Sequence, residues 1–190
     1  MKRVLRHVPN MVTGLRLAAA PATAGLLTTG HFEAALGIFA AAGVSDAVDG
    51  YLAKRFGLTS RLGAYLDPAA DKALMIAAFI ALTMLGAVPL WLTLIILARE
   101  VLFVLAIGAA IALSVPLTVR PLLIGKLGTA LQVLFIAAHL ASLAFGFSLE
   151  SVAPGAAYVL AAVILLSVVA YAWVWARALR AAPPEGASEA

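Results

Sequence analysis

Apolar sequence in this chain runs in stretches of about the length needed to cross a bilayer core, roughly 20 residues per helix. Six such stretches fall near 11–29, 34–56, 61–84, 88–113, 122–146 and 154–177, separated by short connections rich in Gly and Pro. No other feature restricts the fold as tightly. In lipid every backbone N–H and C=O must be satisfied within the segment, and for apolar stretches of this length the helix does that. The composition agrees: 64% of the 190 residues are hydrophobic and only 12% are charged, where soluble domains carry about a quarter charged residues. The sequence therefore predicts an all-α, polytopic membrane protein of six transmembrane helices. Met1 to Val8 reads as a short N-terminal interfacial helix, with Val4, Leu5 and Val8 dipping into lipid. Residues 1–180 read as one membrane domain and 181–190, with Pro183-Pro184-Glu185-Gly186, as a disordered tail. The absence of Cys excludes disulfides and thiolate metal sites.

Against this apolar background stand four aspartates, Asp46, Asp49, Asp67 and Asp71, and the chain contains no others. Residues three or four apart share a helix face, so they form two pairs on two consecutive helices. Ionisable groups inside membrane helices are expensive and mark function by default. Lys54, Arg55 and Arg61 bracket the loop between these helices. At 1.5 Å per residue, Asp49 and Asp67 lie roughly 9 Å below that level and Asp46 and Asp71 roughly 14 Å below it. The four-residue loop makes the helices antiparallel neighbours, so the pairs match in depth. Four bare carboxylates would repel one another. Two divalent cations would neutralise them, and all-oxygen ligands favour Mg²⁺ or Mn²⁺. Paired metals suit displacement at phosphorus. The competing readings are an ion-coupled carrier, in which the aspartates serve transport, and a purely structural membrane protein. Pro68 lacks an N–H and is expected to bend or open the third helix beside Asp67.

Lys and Arg distribution sets the orientation. Lys2, Arg3 and Arg6, then Lys54, Arg55 and Arg61, then Arg120 and Lys126, then Arg177 and Arg180 fall at alternate ends of the spans, and the other three loops carry none. Both termini and the aspartate site are expected on the cytoplasmic side, in an inner (cytoplasmic) membrane. The net charge of +4 points to anionic lipid headgroups rather than nucleic acid, because the basic residues flank spans.

Asp46-x-x-Asp49-Gly50-x-x-Ala53-Lys54 followed by Gly63-x-x-x-Asp67-x-x-x-Asp71 resembles the signature of the CDP-alcohol phosphatidyltransferases, D-x2-D-G-x2-A-R-x8-G-x3-D-x3-D. The spacing matches throughout. Lys54 stands where the family has Arg, which keeps the charge and loses the planar fork. Pro9-Asn10-x-x-Thr13-x-x-Arg16 and the six-span layout extend the likeness. The resemblance implies transfer of a phosphatidyl group from CDP-diacylglycerol to an alcohol, with release of CMP. It implies that Asp46, Asp49, Asp67 and Asp71 bind two divalent metals and that Asp71 is also the general base. It implies that Asn10, Thr13, Gly50, Lys54 and Ser60 line the CDP-lipid site, where Ala53 and Gly63 leave room for a bulky ligand. It also implies a homodimer.

Within that family, Val8-Pro9-Asn10-Met11, Leu66-Asp67-Pro68-Ala69-Ala70-Asp71-Lys72 and Ala98-Arg99-Glu100 look like the branch holding the phosphatidylglycerophosphate synthases and the CMP-forming cardiolipin synthases. The first use glycerol 3-phosphate, the second phosphatidylglycerol. No basic residue occurs from Val101 to Leu113, where a soluble phosphate monoester would want one. His31 to Ala40 and Ile124 to Gln132 also look like the cardiolipin synthase pattern, so phosphatidylglycerol is the favoured acceptor. Arg99 reads equally as a ligand of an acceptor phosphate, held by Glu100, or as half of a buried pair tying helices together. Lys126 and Arg16 read as phosphate contacts or as snorkelling cations. His7, His31 and His139 read as interfacial or packing residues, and Trp91, Tyr171, Trp173 and Trp175 as interfacial anchors or lipid-facing packing.

Overall fold

The computed structural model describes residues 8–56, 61–112 and 122–181, and among these every element is a helix. They are α1 (Val8–Thr28), α2 (Phe32–Phe56), α3 (Arg61–Met84), α4 (Leu90–Ala112), α5 (Leu123–Phe145) and α6 (Ala153–Ala181). Each expected span corresponds to one helix, with ends shifted by at most four residues. Residues 1–7 of the interfacial helix expected over Met1 to Val8 and most of the tail (182–190) lie outside the described residues, and Val8 is the first residue of α1. The helix assignment of α3 continues through residue 68. The local opening expected at Pro68 is therefore not seen; one missing N–H is tolerated where neighbouring turns and helices hold the segment.

Among the described residues three helices are long and apolar enough to cross a membrane by length and composition: Leu90–Ala110, Leu123–Phe145 and Ala153–Arg177. Among the described residues, α2 contributes the shorter apolar stretch Phe32–Ser45. α1, α2 and α3 are 21, 25 and 24 residues long. They reach span length but carry charge inside. Apolar side chains face both ways. Phe79, Leu82, Leu92, Ile96, Ile136, Leu140 and Ile164 are fully buried between helices, while Val101, Leu102, Val104, Leu105, Leu165 and Val169 are more than half exposed. A bundle with leucine outside as well as inside is solvated by lipid tails, and the chain is an integral membrane protein.

Among the described residues α1 packs most extensively on α3 and then on α2; α5 packs on α2 and α6, and α4 on α6 and α3. α1 is thus the helix shared by the two aspartate-bearing helices. Alanine makes this possible: Ala19, Ala20, Ala35, Ala42, Ala70 and Ala78 are buried, and small residues let membrane helices approach closely.

The turns are compact. Gly86, at φ 73°, takes the left-handed conformation that ends α3, and the Ala87 N–H bonds back to the Leu82 carbonyl at 3.0 Å. Thr83 Oγ1 donates to the Phe79 carbonyl at 2.8 Å. That uses its proton, so Thr93 is the donor in the 2.7 Å Thr83–Thr93 hydroxyl pair that joins the end of α3 to the start of α4. At the start of α5 no side chain of its own caps the helix. Instead the Leu122 N–H donates to the Tyr171 hydroxyl of α6 at 3.0 Å.

Candidate active site

Asn10, Thr13 and Arg16 fall in α1; Asp46, Asp49, Gly50, Ala53 and Lys54 in α2; Gly63, Asp67 and Asp71 in α3; Arg99 in α4; and Lys126 in the first turn of α5. Ser60 lies outside the described residues, as do the side chains of Asn10, Thr13, Asp46, Asp49, Gly50, Ala53, Lys54, Gly63 and Asp67. Unbroken helix over both signature segments keeps positions 46 and 49 on one face of α2 and positions 67 and 71 on one face of α3.

The described part of the site is built on Arg16 and Asp71. Arg16 is 3% exposed, and its Nη1 donates to Asp71 Oδ1 at 2.7 Å. Arg16 therefore does not snorkel toward a surface; it turns inward. An Arg buried at this depth needs a charged partner, and α1 lies against α3 where Asp71 supplies one. The Asp71 side chain is 38% exposed, which leaves it accessible to a substrate. A cavity of about 280 Å³ opens beside Arg16 and Ser45, between α1 and α2. Its remaining walls, including Ala18, Ala22, Ala41 and Ala42, are apolar. Arg16, its charge paired with Asp71, thus stands at one end of an alanine-walled, otherwise largely apolar slot.

The neighbouring network is one that the sequence showed only in part. Glu100 and Arg99, both 8% exposed, pair with each other at 2.5 Å between Nη1 and Oε1. Lys72 Nζ lies 2.5 Å from the second carboxylate oxygen, Glu100 Oε2. The Arg99–Glu100 contact lies within α4, and it is Lys72 that links Glu100 to α3. The Phe103 ring lies below both cations, 5.4 Å from Arg99 Cζ and 5.8 Å from Lys72 Nζ. Two cations against one carboxylate leave this cluster net positive, one residue along α3 from Asp71. In the sequence Lys72 stands out only as the residue that follows Asp71 in the signature. The missed signal was its one-residue offset from Asp71, which turns it toward α4 while Asp71 meets α1.

Lys126 is exposed in the first turn of α5. Tyr171 stands beside it in an unexpected role: as well as accepting from Leu122, its hydroxyl lies 3.0 Å from where a Cβ on Gly125 would sit, and its ring meets Phe103 edge-on at 4.7 Å. An anchor in lipid would need no such partners.

The sequence profile of the CDP-alcohol phosphatidyltransferases matches residues 6–176. The chain belongs to the CDP-alcohol phosphatidyltransferase family. Among similar proteins, the human cardiolipin synthase (CMP-forming) is 32% identical over 157 residues, 74% of this chain and 52% of that protein. A cardiolipin synthase (CMP-forming) from Streptomyces coelicolor is 39% identical over 107 residues, 53% of this chain and 50% of that protein. A probable phosphatidylglycerophosphate synthase from Mycobacterium tuberculosis is 36% identical over 183 residues, 93% of this chain and 83% of that protein. The chain spans about half the length of the two cardiolipin synthases. As a family member it is a transferase fold, and Arg16, Asp71 and the alanine-walled slot all lie within the matched region.

The donor set expected to hold a divalent ion is all carboxylate, which suits Mg²⁺ or Mn²⁺. Asp71 is the one member whose side chain is described: its carboxylate is partly exposed and takes the Arg16 guanidinium on Oδ1.

Proposed function

We propose that the protein transfers the phosphatidyl group of CDP-diacylglycerol to the hydroxyl of phosphatidylglycerol, forming cardiolipin and releasing CMP. The observation that carries this reading is the Arg16–Asp71 contact. It joins the Pro9-Asn10-x-x-Thr13-x-x-Arg16 segment to the last aspartate of the signature, 55 residues away, beside a slot suited to an acyl chain.

In this reading Asp71 accepts the proton of the acceptor hydroxyl, whose oxygen forms a bond to the lipid-bearing phosphorus while the phosphoanhydride bond to CMP breaks. Arg16 holds the Asp71 carboxylate in place and adds positive charge beside the diphosphate. Asn10, Thr13, Gly50, Lys54 and Ser60 line the nucleotide side, and Ala53 and Gly63 keep it open. Two divalent cations held by Asp46, Asp49, Asp67 and Asp71 would supply charge neutralisation to the diphosphate and the leaving phosphate. The cluster of Lys72, Arg99 and Glu100, with Lys126 nearer the surface, would face the phosphate of the acceptor. All six helices would span the membrane, with the termini and this site on the cytoplasmic side of an inner membrane, and two copies would pair as a homodimer.

A second acceptor has a specific observation in its favour. The mycobacterial relative named for phosphatidylglycerophosphate synthesis matches over nearly the whole chain, and the buried, net-positive cluster at Arg99 suits glycerol 3-phosphate. Purified protein given labelled CDP-diacylglycerol with each acceptor separately decides between them. Cardiolipin as the sole product supports the first reading. Product from glycerol 3-phosphate alone replaces it with the second, and no CMP with either acceptor removes both.

A further inference from the structure

Just past Glu100, α4 turns most of its surface outward: Val101, Leu102, Val104 and Leu105 are all more than half exposed. Phe103, in the middle of that run, is less exposed than its neighbours, and α6 holds it there. The Tyr171 ring meets Phe103 edge-on, with centroids 4.7 Å apart and planes at 80°. Trp175, one turn further along α6, meets the same ring at 6.2 Å and 65°. Phe103 also lies 5.4 Å from Arg99 Cζ and 5.8 Å from Lys72 Nζ, within reach of a cation–π attraction. Two cations share one aromatic floor, and residues of α6 set where that floor stands.

The floor matters because hydrogen bonds fix these cations incompletely. Arg99 Nη1 donates to Glu100 Oε1 at 2.5 Å, whereas Arg99 Nε is buried and has no partner. Lys72 has its contact with Glu100, and its side chain is 43% exposed. An ammonium on a flexible four-carbon stem needs a second contact to hold one position, and Phe103 supplies it. Lys72 is also the cation of this cluster most open to a ligand.

Tyr171 acts in a second direction as well. Its hydroxyl accepts the Leu122 N–H at the start of α5 at 3.0 Å. Gly125 comes so near that a Cβ there would lie 3.0 Å from the same oxygen, and Lys126 is the next residue. One side chain of α6 therefore seats the first turn of α5 and steadies the ring beneath Lys72 and Arg99.

We infer that Tyr171 is a positioning residue of the site for the acceptor's phosphate: it sets Lys72 and Arg99 through Phe103, and the turn that carries Lys126 through Leu122 and Gly125. The inference rests on the reading of these three cations as phosphate contacts. It holds for either acceptor, because phosphatidylglycerol and glycerol 3-phosphate both carry a phosphate.

The test is the rate of CMP release by purified protein with the acceptor that it turns over, varying acceptor and CDP-diacylglycerol in turn. Tyr171→Leu should raise the acceptor KM by about three- to ten-fold, the size of a weakened cation–π contact. Its kcat and its KM for CDP-diacylglycerol should stay within about two-fold of the parent values, the signature of lost binding to one substrate. A fold that is merely loosened lowers the active fraction, and with it kcat, at unchanged KM. Phe103→Leu removes the ring and leaves the Leu122–Tyr171 bond in place, and should raise the same KM by a similar factor. Tyr171→Phe keeps the edge contact and loses only the bond from Leu122, so its acceptor KM should rise by about two-fold. If Tyr171→Leu does not fold, the other two variants decide by the same criteria. An unchanged acceptor KM, a fall in kcat alone, or an equal rise in both KM values overturns the inference and leaves the transferase reading standing. A parent protein that releases no CMP with either acceptor removes that reading, and this inference with it.

Discussion

Arg16 Nη1 and Asp71 Oδ1 meet at 2.7 Å across the interface of the first and third helices, with the Arg side chain 4% exposed and the Asp side chain 38% exposed. Removing one partner of a fully buried pair costs about 3–5 kcal/mol. Here the carboxylate keeps access to polar surroundings, so Arg16→Met should destabilise by about 1–2 kcal/mol. The double variant with Asp71→Asn should lose less than the sum of the two singles, as melting temperatures in mild detergent will show. Full additivity would mean the pair does not couple.

Asp71 is expected to act as the base, so Asp71→Asn should lower kcat by about 10²–10⁴-fold, the range typical of lost general-base catalysis. The helical circular-dichroism signal should stay as in the parent protein. Retention of full CMP release by a folded Asp71→Asn protein would remove it from that role.

The proposed carboxylate-only donor set predicts dependence on a divalent ion. Treatment with a chelator should abolish CMP release, and Mg²⁺ or Mn²⁺ should restore it while Ca²⁺ restores less, because the larger ion relaxes the geometry that clamps the phosphates. Unchanged turnover after exhaustive chelation would contradict the paired-metal reading.

Glu100 holds two cations, each at 2.5 Å. Glu100→Gln leaves Arg99 buried without a counter-charge and should destabilise by about 3 kcal/mol. Lys72→Met removes a partner whose side chain is 43% exposed and should cost less than about 1 kcal/mol. Thermal unfolding of the two variants side by side checks the order. The reverse order would place the main counter-charge of Glu100 on Lys72.

Gly125→Ala places a methyl group 3.0 Å from the Tyr171 hydroxyl and 3.1 Å from its ring. Tyr171 cannot retreat without loosening its bond from the Leu122 N–H and its edge contact with Phe103. The variant should destabilise by about 1–2 kcal/mol. In a Tyr171→Ala background the same change should be nearly neutral, and a melting-temperature cycle measures this.

The sequence by itself determined the helix count, the helix positions and the family. Each of these rests on local pattern: apolar runs of bilayer length, Gly and Pro at the turns, and a signature of aspartates whose spacing is visible without coordinates. The existence of α1 through α6 needed nothing further, because apolar runs bounded by Gly and Pro satisfy their backbone hydrogen bonds locally as helices. Tertiary structure alone decided which side chains meet. That Arg16 turns inward to Asp71 instead of snorkelling, that Lys72 shares Glu100 with Arg99, and that Tyr171 caps α5 are facts about residues 28 to 55 positions apart in sequence. Local periodicity carries no record of them. Bilayer solvation makes nearly every residue apolar whichever way it faces, so the contrast that marks a buried face in a soluble helix is absent, and neighbour choice falls to small-residue fit and the pairing of the few buried charges.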